Sequence, residues 1–140
     1  MAMPRGKIYT KEYFNMGQLK VGGWLNDNAK TDYWFFYYKN EGKKEEGFYT
    51  VNQRNKYWKF YKVDGKKQME GRFRSDSAYG WWVFYGNDKV EKKVEYCEGK
   101  KMGTPVIIPT AIFQKWRNIR MVLKQENGQI MQHLKETISV

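Results

Sequence analysis

The chain has 140 residues, a formal net charge of +11 and an aromatic content of 18%. This length fits one ordinary domain. Cys97 is the only cysteine, which excludes an internal disulfide, and no apolar run is long enough to predict a transmembrane helix. We therefore expect a cytoplasmic protein, with peripheral membrane attachment as an alternative, whose basic surface attracts an acidic partner.

Residues 1–11 form a lead-in, and residues 12–103 contain a repeat of about 24 residues. Each unit holds an aromatic-Trp-x-Phe-Tyr segment, a short turn, a basic stretch and a Gly-x-aromatic segment. The aromatic members recur as Trp34 with Phe36, Trp58 with Phe60 and Trp82 with Phe84, and the glycines as Gly23, Gly47 and Gly71.

The repeat unit predicts a β-hairpin. Residues 57–61, YWKFY, are favoured in strands, Asp64-Gly65 suits a tight turn, and residues 66–73 return as the partner strand. Alternation places Trp58 and Phe60 on one face and Tyr57, Lys59 and Tyr61 on the other. We expect the Trp and Phe side chains of successive hairpins to stack, because one hairpin alone is marginally stable.

Two units depart from the pattern. The unit with Trp34 requires one residue inserted before Gly42, and the unit with Trp82 has Lys89 where glycine is expected. Cys97 falls one repeat after Phe73, at the equivalent position, and is therefore predicted to be a buried structural residue.

The pattern W-x-F-Y…D-G-K-K…G-x-F, carried here by Trp58 to Tyr61, Asp64 to Lys67 and Gly71, resembles the MORN-repeat variant of bacterial proteins. The resemblance implies an elongated, twisted antiparallel sheet of about four successive hairpins across residues 12–103. It also implies a protein- or lipid-interacting module, and members of the family are often described as antitoxins.

Residues 104–140 form a tail of different composition. Pro105 and Pro109 predict a linker, and an apolar stripe at helical spacing predicts two short amphipathic helices, or one that bends. We expect the stripe to pack across one face or the open end of the sheet and so cover an edge strand, and the alternative is that it docks on a partner. The members of this stripe are Ile112, Trp116, Ile119 and Leu123. An alternative is a degenerate last hairpin around Asn127-Gly128.

Catalytic groups are scarce in this sequence. It has one histidine, His133, and one cysteine, so a closed zinc site cannot form without carboxylates. The carboxylates stand mostly beside lysines, as in GKKEEG, which is typical of a solvated sheet face. We therefore expect a protein that is not an enzyme and that binds neither a metal nor a cofactor.

Paired lysines are the remaining functional candidates. They could form a basic ridge for nucleic acid or anionic lipid, or they could simply keep exposed turns and edges soluble. The pairs are Lys43-Lys44, Lys66-Lys67, Lys92-Lys93 and Lys100-Lys101. The leading hypothesis is a protein-interaction or self-association module, the alternative is a polyanion binder, and the family resemblance adds an antitoxin that pairs with a toxin.

Overall fold

The computed structural model describes residues 6–107, together with residues 118 and 119. The chain divides into two units, Met1–Ile107 and Ile108–Val140, and the fold described below is that of the first. The predicted C-terminal helix and its hairpin alternative lie outside the described residues, because residues 118 and 119 alone do not define an element.

In the described residues, nine strands form one open antiparallel sheet in which each strand pairs with its neighbours in sequence. This meander confirms the prediction of a mainly β fold made of successive hairpins. The strands are β1 (Ile8–Tyr13), β2 (Leu19–Asn26), β3 (Ala29–Tyr37), β4 (Lys43–Thr50), β5 (Gln53–Tyr61), β6 (Lys67–Arg74), β7 (Ser77–Gly86), β8 (Lys89–Cys97) and β9 (Lys100–Ile107).

The turns lie along two rims of the sheet. The first rim comprises the turns at residues 14–18, 38–42, 62–66 and 87–88, and the second rim those at 27–28, 51–52, 75–76 and 98–99. In the second-rim turns both central residues have positive φ, as in Asp27 (48°) and Asn28 (63°). Two-residue turns of this kind match the twist of the flanking strands, so the connections between successive repeat units are also tight hairpin turns.

Hydrogen bonds join neighbouring second-rim turns to each other. The backbone N–H of Asn52 donates to the Lys30 carbonyl (3.0 Å), and the Lys30 N–H donates back to Asn52 Oδ1 (2.7 Å). Asp76 and Arg54 repeat both bonds in the next unit. This reciprocal pattern fixes the start of β3 and of β5.

The first-rim turns correct one detail of the predicted repeat. Gly17 (φ 89°) and Gly65 (φ 85°) hold the left-handed position of their turns, and Glu41 (φ 66°) holds the equivalent position. The strand pairs that flank these turns also recur at the repeat spacing. They are Tyr13 with Leu19, Tyr37 with Lys43 and Tyr61 with Lys67. The insertion expected before Gly42 is therefore wrong, because a glutamate adopts the conformation that glycine adopts elsewhere.

The turn between β7 and β8 is shortened to Asn87-Asp88, which moves β8 by one position. Trp58 pairs with Gly71, whereas Trp82 pairs with Val94. As a result Tyr96, rather than Cys97, lies edge-on against the tryptophan ring in the way that Phe73 does in the previous unit. The prediction of a buried Cys97 is wrong, since the shift leaves this thiol exposed.

β9 continues through the first residues assigned to the tail. It runs to Ile107 and contains Pro105, so Pro105 is not part of a linker. The pairing of β8 with β9 is irregular between Lys93 and Glu95, and β9 is at the edge of the sheet as the described residues form it. A proline without an N–H is accommodated at such a bulge on an edge.

Candidate interaction site

One face of the sheet, here called the tryptophan face, is filled by Trp34, Trp58 and Trp82. All three are buried, and Trp58 is 0% exposed. Each ring lies over a glycine of the preceding strand, so that a Cβ built on Gly47 would stand 2.3 Å from the Trp58 ring. The same close approach joins Gly23 to Trp34 and Gly71 to Trp82.

Backbone irregularities provide the hydrogen-bond partners of the buried indoles. Trp58 Nε1 donates to the Phe48 carbonyl (3.0 Å), and Trp82 Nε1 donates to the Arg72 carbonyl (3.2 Å). Each accepting residue lies next to a register shift between the two strands. A bulge removes a carbonyl from regular pairing, and a buried indole N–H needs an acceptor.

Within the described residues, cations cover the tryptophan ring in two of the three aromatic groups on this face. Lys30 Nζ lies 4.9 Å from the Trp34 ring centre, and Arg54 Cζ lies 4.9 Å from the Trp58 ring centre. Ala78 holds the equivalent position beside Trp82 and packs against the core. Among the described residues, the tryptophan face is therefore largely closed by its own side chains.

The opposite face, here called the tyrosine face, contains two carboxylate clusters. Glu46 is 6% exposed; its Oε1 accepts a hydrogen bond from the Tyr61 hydroxyl (2.7 Å) and its Oε2 one from Lys43 Nζ (3.0 Å). Glu70 repeats the arrangement in the next unit. It accepts from the Tyr85 hydroxyl (2.7 Å) and from Lys67 Nζ (3.2 Å).

These contacts hold the clusters in one ionisation state. Burial raises the pKa of the Glu46 carboxyl, but the hydrogen bonds from Tyr61 and Lys43 lower it by more than burial raises it. The pKa therefore lies below its ordinary value. The balance is the same for Glu70. Burial, followed by the hydrogen bond to Glu46, strongly raises the pKa of Tyr61. The carboxyls are therefore charged and the hydroxyls protonated at neutral pH.

The glutamate clusters correct the expectation that the carboxylates are solvated. Glu46 and Glu70 stand one repeat apart, as do Tyr61 and Tyr85, and this shared spacing was the available signal. It was not decisive, because a Lys-Lys-Glu-Glu segment is equally common on an exposed surface. Only the fold brings Glu46 within hydrogen-bond distance of the Tyr61 hydroxyl on the neighbouring strand.

Large aromatic side chains remain exposed on the tyrosine face. Trp81 is 51% exposed, and Trp24, Tyr57 and Tyr79 are each 39% exposed. Arg74 stacks on Tyr79 with its Cζ 4.0 Å from the ring centre. Exposed Trp, Tyr and Arg side chains are typical of the residues that dominate protein interfaces.

The eight candidate lysines lie at both rims and on both faces. Lys43 and Lys67 stand at the start of β4 and β6 on the tyrosine face, where Glu46 and Glu70 neutralise them. Lys66 forms an ion pair with Asp88 across two first-rim turns (2.8 Å). Lys44 Nζ lies 6.0 Å from the Tyr38 ring centre.

The other two pairs are separated from these. Lys92 pairs with Phe84 and Lys93 with Val83, so the first faces the tryptophan side and the second the tyrosine side. Lys100 and Lys101 begin β9 at the second rim, opposite Cys97 and Tyr96. The structure thus brings Lys43, Lys44, Lys66 and Lys67 together at the first rim and leaves the remaining four apart from them.

Most of the predicted docking stripe lies outside the described residues. Ile112, Trp116 and Leu123 belong to that part, whereas Ile119 is described and is 43% exposed.

Two features are absent from the described part of the chain. It contains no group of three or more His, Cys, Asp or Glu side chains arranged to hold a metal ion. It also contains no helix with the length and apolar character needed to span a membrane.

Comparison with known proteins adds no relative. No protein-family model matches the chain, and no curated protein matches it significantly. The MORN-like assignment therefore stays a prediction.

Proposed function

We propose that this chain is a non-enzymatic protein-interaction module, built on MORN-like hairpins in an elongated twisted sheet, that presents its tyrosine face to another protein. The main support for this proposal is the exposure of Trp81, Tyr57 and Tyr79 on this face, together with the stacking of Arg74 on Tyr79. The aromatic side chains of the tryptophan face are buried by packing within the chain. The tyrosine face therefore offers a partner protein the larger exposed aromatic area.

The charge of this face indicates the chemistry of the partner. Arg72, Arg74 and Lys93 make no ion pair within the described part of the chain, whereas Glu46 and Glu70 are already bound by lysines. The exposed Glu95, opposite Trp81, is one carboxylate against these three cations. An acidic protein surface would complement this arrangement and would associate faster at low salt. The MORN-like resemblance suggests a toxin as one candidate of this class.

Site-specific photo-crosslinking in cells tests the proposal. A photo-reactive residue at position 81 samples the tyrosine face, and one at position 92 samples the tryptophan face. We expect one discrete partner, or a second copy of the chain, to be crosslinked from position 81 only. Equal labelling from both positions, or no product from 81 while the purified protein sediments as a monomer, would contradict the proposal.

A polyanion-binding function is the second candidate, favoured by the same Arg72, Arg74 and Lys93, which have no ion-pair partner among the described residues. Aromatic and basic side chains together also suit single-stranded nucleic acid. Titration with RNA, DNA and anionic vesicles at several salt concentrations separates the two functions. Binding that persists at physiological salt and is lost in Trp81→Ala supports the polyanion function, whereas binding that disappears near that salt concentration indicates nonspecific attraction.

A further inference from the structure

The inference concerns the gap between the first two turns of the first rim, at residues 14–18 and 38–42. The next pair of turns shows how such a gap is closed. The Tyr38 hydroxyl donates to the Tyr61 carbonyl (2.8 Å), and Asn40 Nδ2 donates to the Val63 carbonyl (3.0 Å). These two side chains bind the second turn directly to the third.

The first turn carries different residues at the equivalent positions. Phe14 stands one repeat before Tyr38, and Met16 stands one repeat before Asn40. A phenyl ring and a thioether cannot donate hydrogen bonds. The carbonyls of Tyr37 and Lys39 correspond to the two acceptors, and within the described residues they receive no equivalent side-chain donor. A cleft of about 300 Å³ opens at this place.

The lining of the cleft combines three kinds of group. Phe14 and Met16 are apolar, and Met16 is 86% exposed. Lys20 and Lys39 supply positive charge, and neither makes an ion pair within the described residues. Asn15 and Gln18 add amide groups. A ligand that matches this lining needs an apolar body, a carboxylate and an N–H donor for the Lys39 carbonyl, which accepts no hydrogen bond within the described residues.

We propose that the cleft binds the C-terminal residue of a partner chain, with its carboxylate at Lys20 and Lys39 and its apolar side chain against Phe14 and Met16. The terminal amide N–H would donate to the Lys39 carbonyl, which corresponds to the Val63 carbonyl that Asn40 binds in the next gap. The volume lies at the lower end of the range for ligand sites, which suits one or two residues of a peptide. This assignment rests on the proposed protein-interaction function and names one contact within it.

Fluorescence anisotropy with a labelled peptide, Gly-Ser-Gly-Ser-Gly-Leu, tests the site directly. We expect the peptide with a free carboxylate to bind at least about tenfold more tightly than its C-terminal amide, a difference of about 1.4 kcal/mol. Equal affinity for the two peptides, or no binding of the free carboxylate at millimolar protein, would overturn the proposal. If free 4-methylpentanoate binds as tightly as the peptide, the cleft is a site for a small carboxylate. That result would also overturn the proposal.

The repeat itself provides the matched variants. Phe14→Tyr combined with Met16→Asn restores the two side chains that close the next gap, and should abolish peptide binding while keeping or raising Tm. Lys20→Ala should weaken binding, whereas Lys44→Ala, at the equivalent position of the next unit, should not. Unchanged binding in the double variant would exclude the cleft. Crosslinking from position 81 in this variant shows whether the tyrosine-face function survives independently.

Discussion

At the scale of single residues, close packing between glycine and tryptophan determines the core. Each tryptophan of the tryptophan face occupies the volume that a Cβ would need on the preceding strand. Glycine is unfavourable within a strand because it has no side chain to pack. In this sheet the missing glycine side chain leaves room for the tryptophan ring of the next strand, which covers the glycine backbone.

Gly47→Ala should destabilise the protein by about 1–3 kcal/mol, because the added methyl overlaps the Trp58 ring and overpacking strains a close-packed core. The measurement is urea denaturation of the variant and the parent. Gly42→Ala is the control, since its added Cβ would meet only the flexible Asn40 side chain. Equal losses in the two variants would contradict the packing explanation.

The glutamate clusters predict a specific pH dependence. The folded pKa of Glu46 and Glu70 lies below the unfolded value, which is about 4.3. Their contribution to stability is therefore complete above that value and is lost as the pH falls through the lower folded pKa. Tm should fall on acidification below about pH 4.5 as these carboxylates take up protons.

The double variant Glu46→Gln/Glu70→Gln isolates this effect from the other carboxylates. It should be less stable than the parent at pH 7, and the difference between the two Tm values should shrink as the pH approaches 3. Parallel Tm curves across this range would show that the clusters contribute no pH-dependent stability.

At the scale of the element, a cation at the start of a strand covers the aromatic rings of its own hairpin. Arg54 stands at the start of β5, held by Asp76 of the following turn, and covers the rings of Trp58, Phe60 and Phe73. It also faces Glu45 at 3.7 Å. The third unit has Ala78 and Met69 at the positions of Arg54 and Glu45, so this cation and its carboxylate are both missing there.

Introducing the missing pair should stabilise the third unit. Ala78→Arg with Met69→Glu is expected to gain about 0.5–1 kcal/mol, the usual value of a cation over an aromatic ring. The glutamate is included because Lys92 lies 5.3 Å from the Phe84 ring centre and would repel an unpaired arginine. Thermal unfolding measures the gain, and Arg54→Ala should show the opposite sign; a destabilised double variant would contradict the equivalence of the two positions.

At the scale of the whole molecule, the sheet has no second layer among the described strands. Stability must therefore come from contacts between neighbouring strands and from the aromatic packing that runs across them. Trp58 contacts Phe36, Phe60 and Phe73, which belong to three different strands. Loss of this ring should weaken several hairpins together.

Trp58→Ala should cost about 3–5 kcal/mol, as expected for removal of a large buried aromatic side chain. Trp81→Ala is the matched control on the tyrosine face and should change stability by about 0.5 kcal/mol or less. Guanidinium denaturation followed by circular dichroism gives both values. Similar losses would mean that the two faces contribute equally to the core.

Much of this architecture could be predicted from the repeat alone. The regular spacing of the repeat indicated successive hairpins, and strand alternation separated Trp58 and Phe60 from Tyr57 and Tyr61. The errors arose where backbone conformation, rather than residue type, decides the register. Glu41 adopts a glycine-like conformation, and the short Asn87-Asp88 turn moves Cys97 to the surface.

The sequence by itself determined the order and chemistry of the strands, because side-chain alternation and turn residues act locally. Tertiary structure alone decided which residues of neighbouring units meet. It buried Glu46 among tyrosines, placed Lys43, Lys44, Lys66 and Lys67 at one rim, and left a cleft beside Phe14. These outcomes depend on register between strands, and a difference of one residue in a turn changes which face every following side chain occupies.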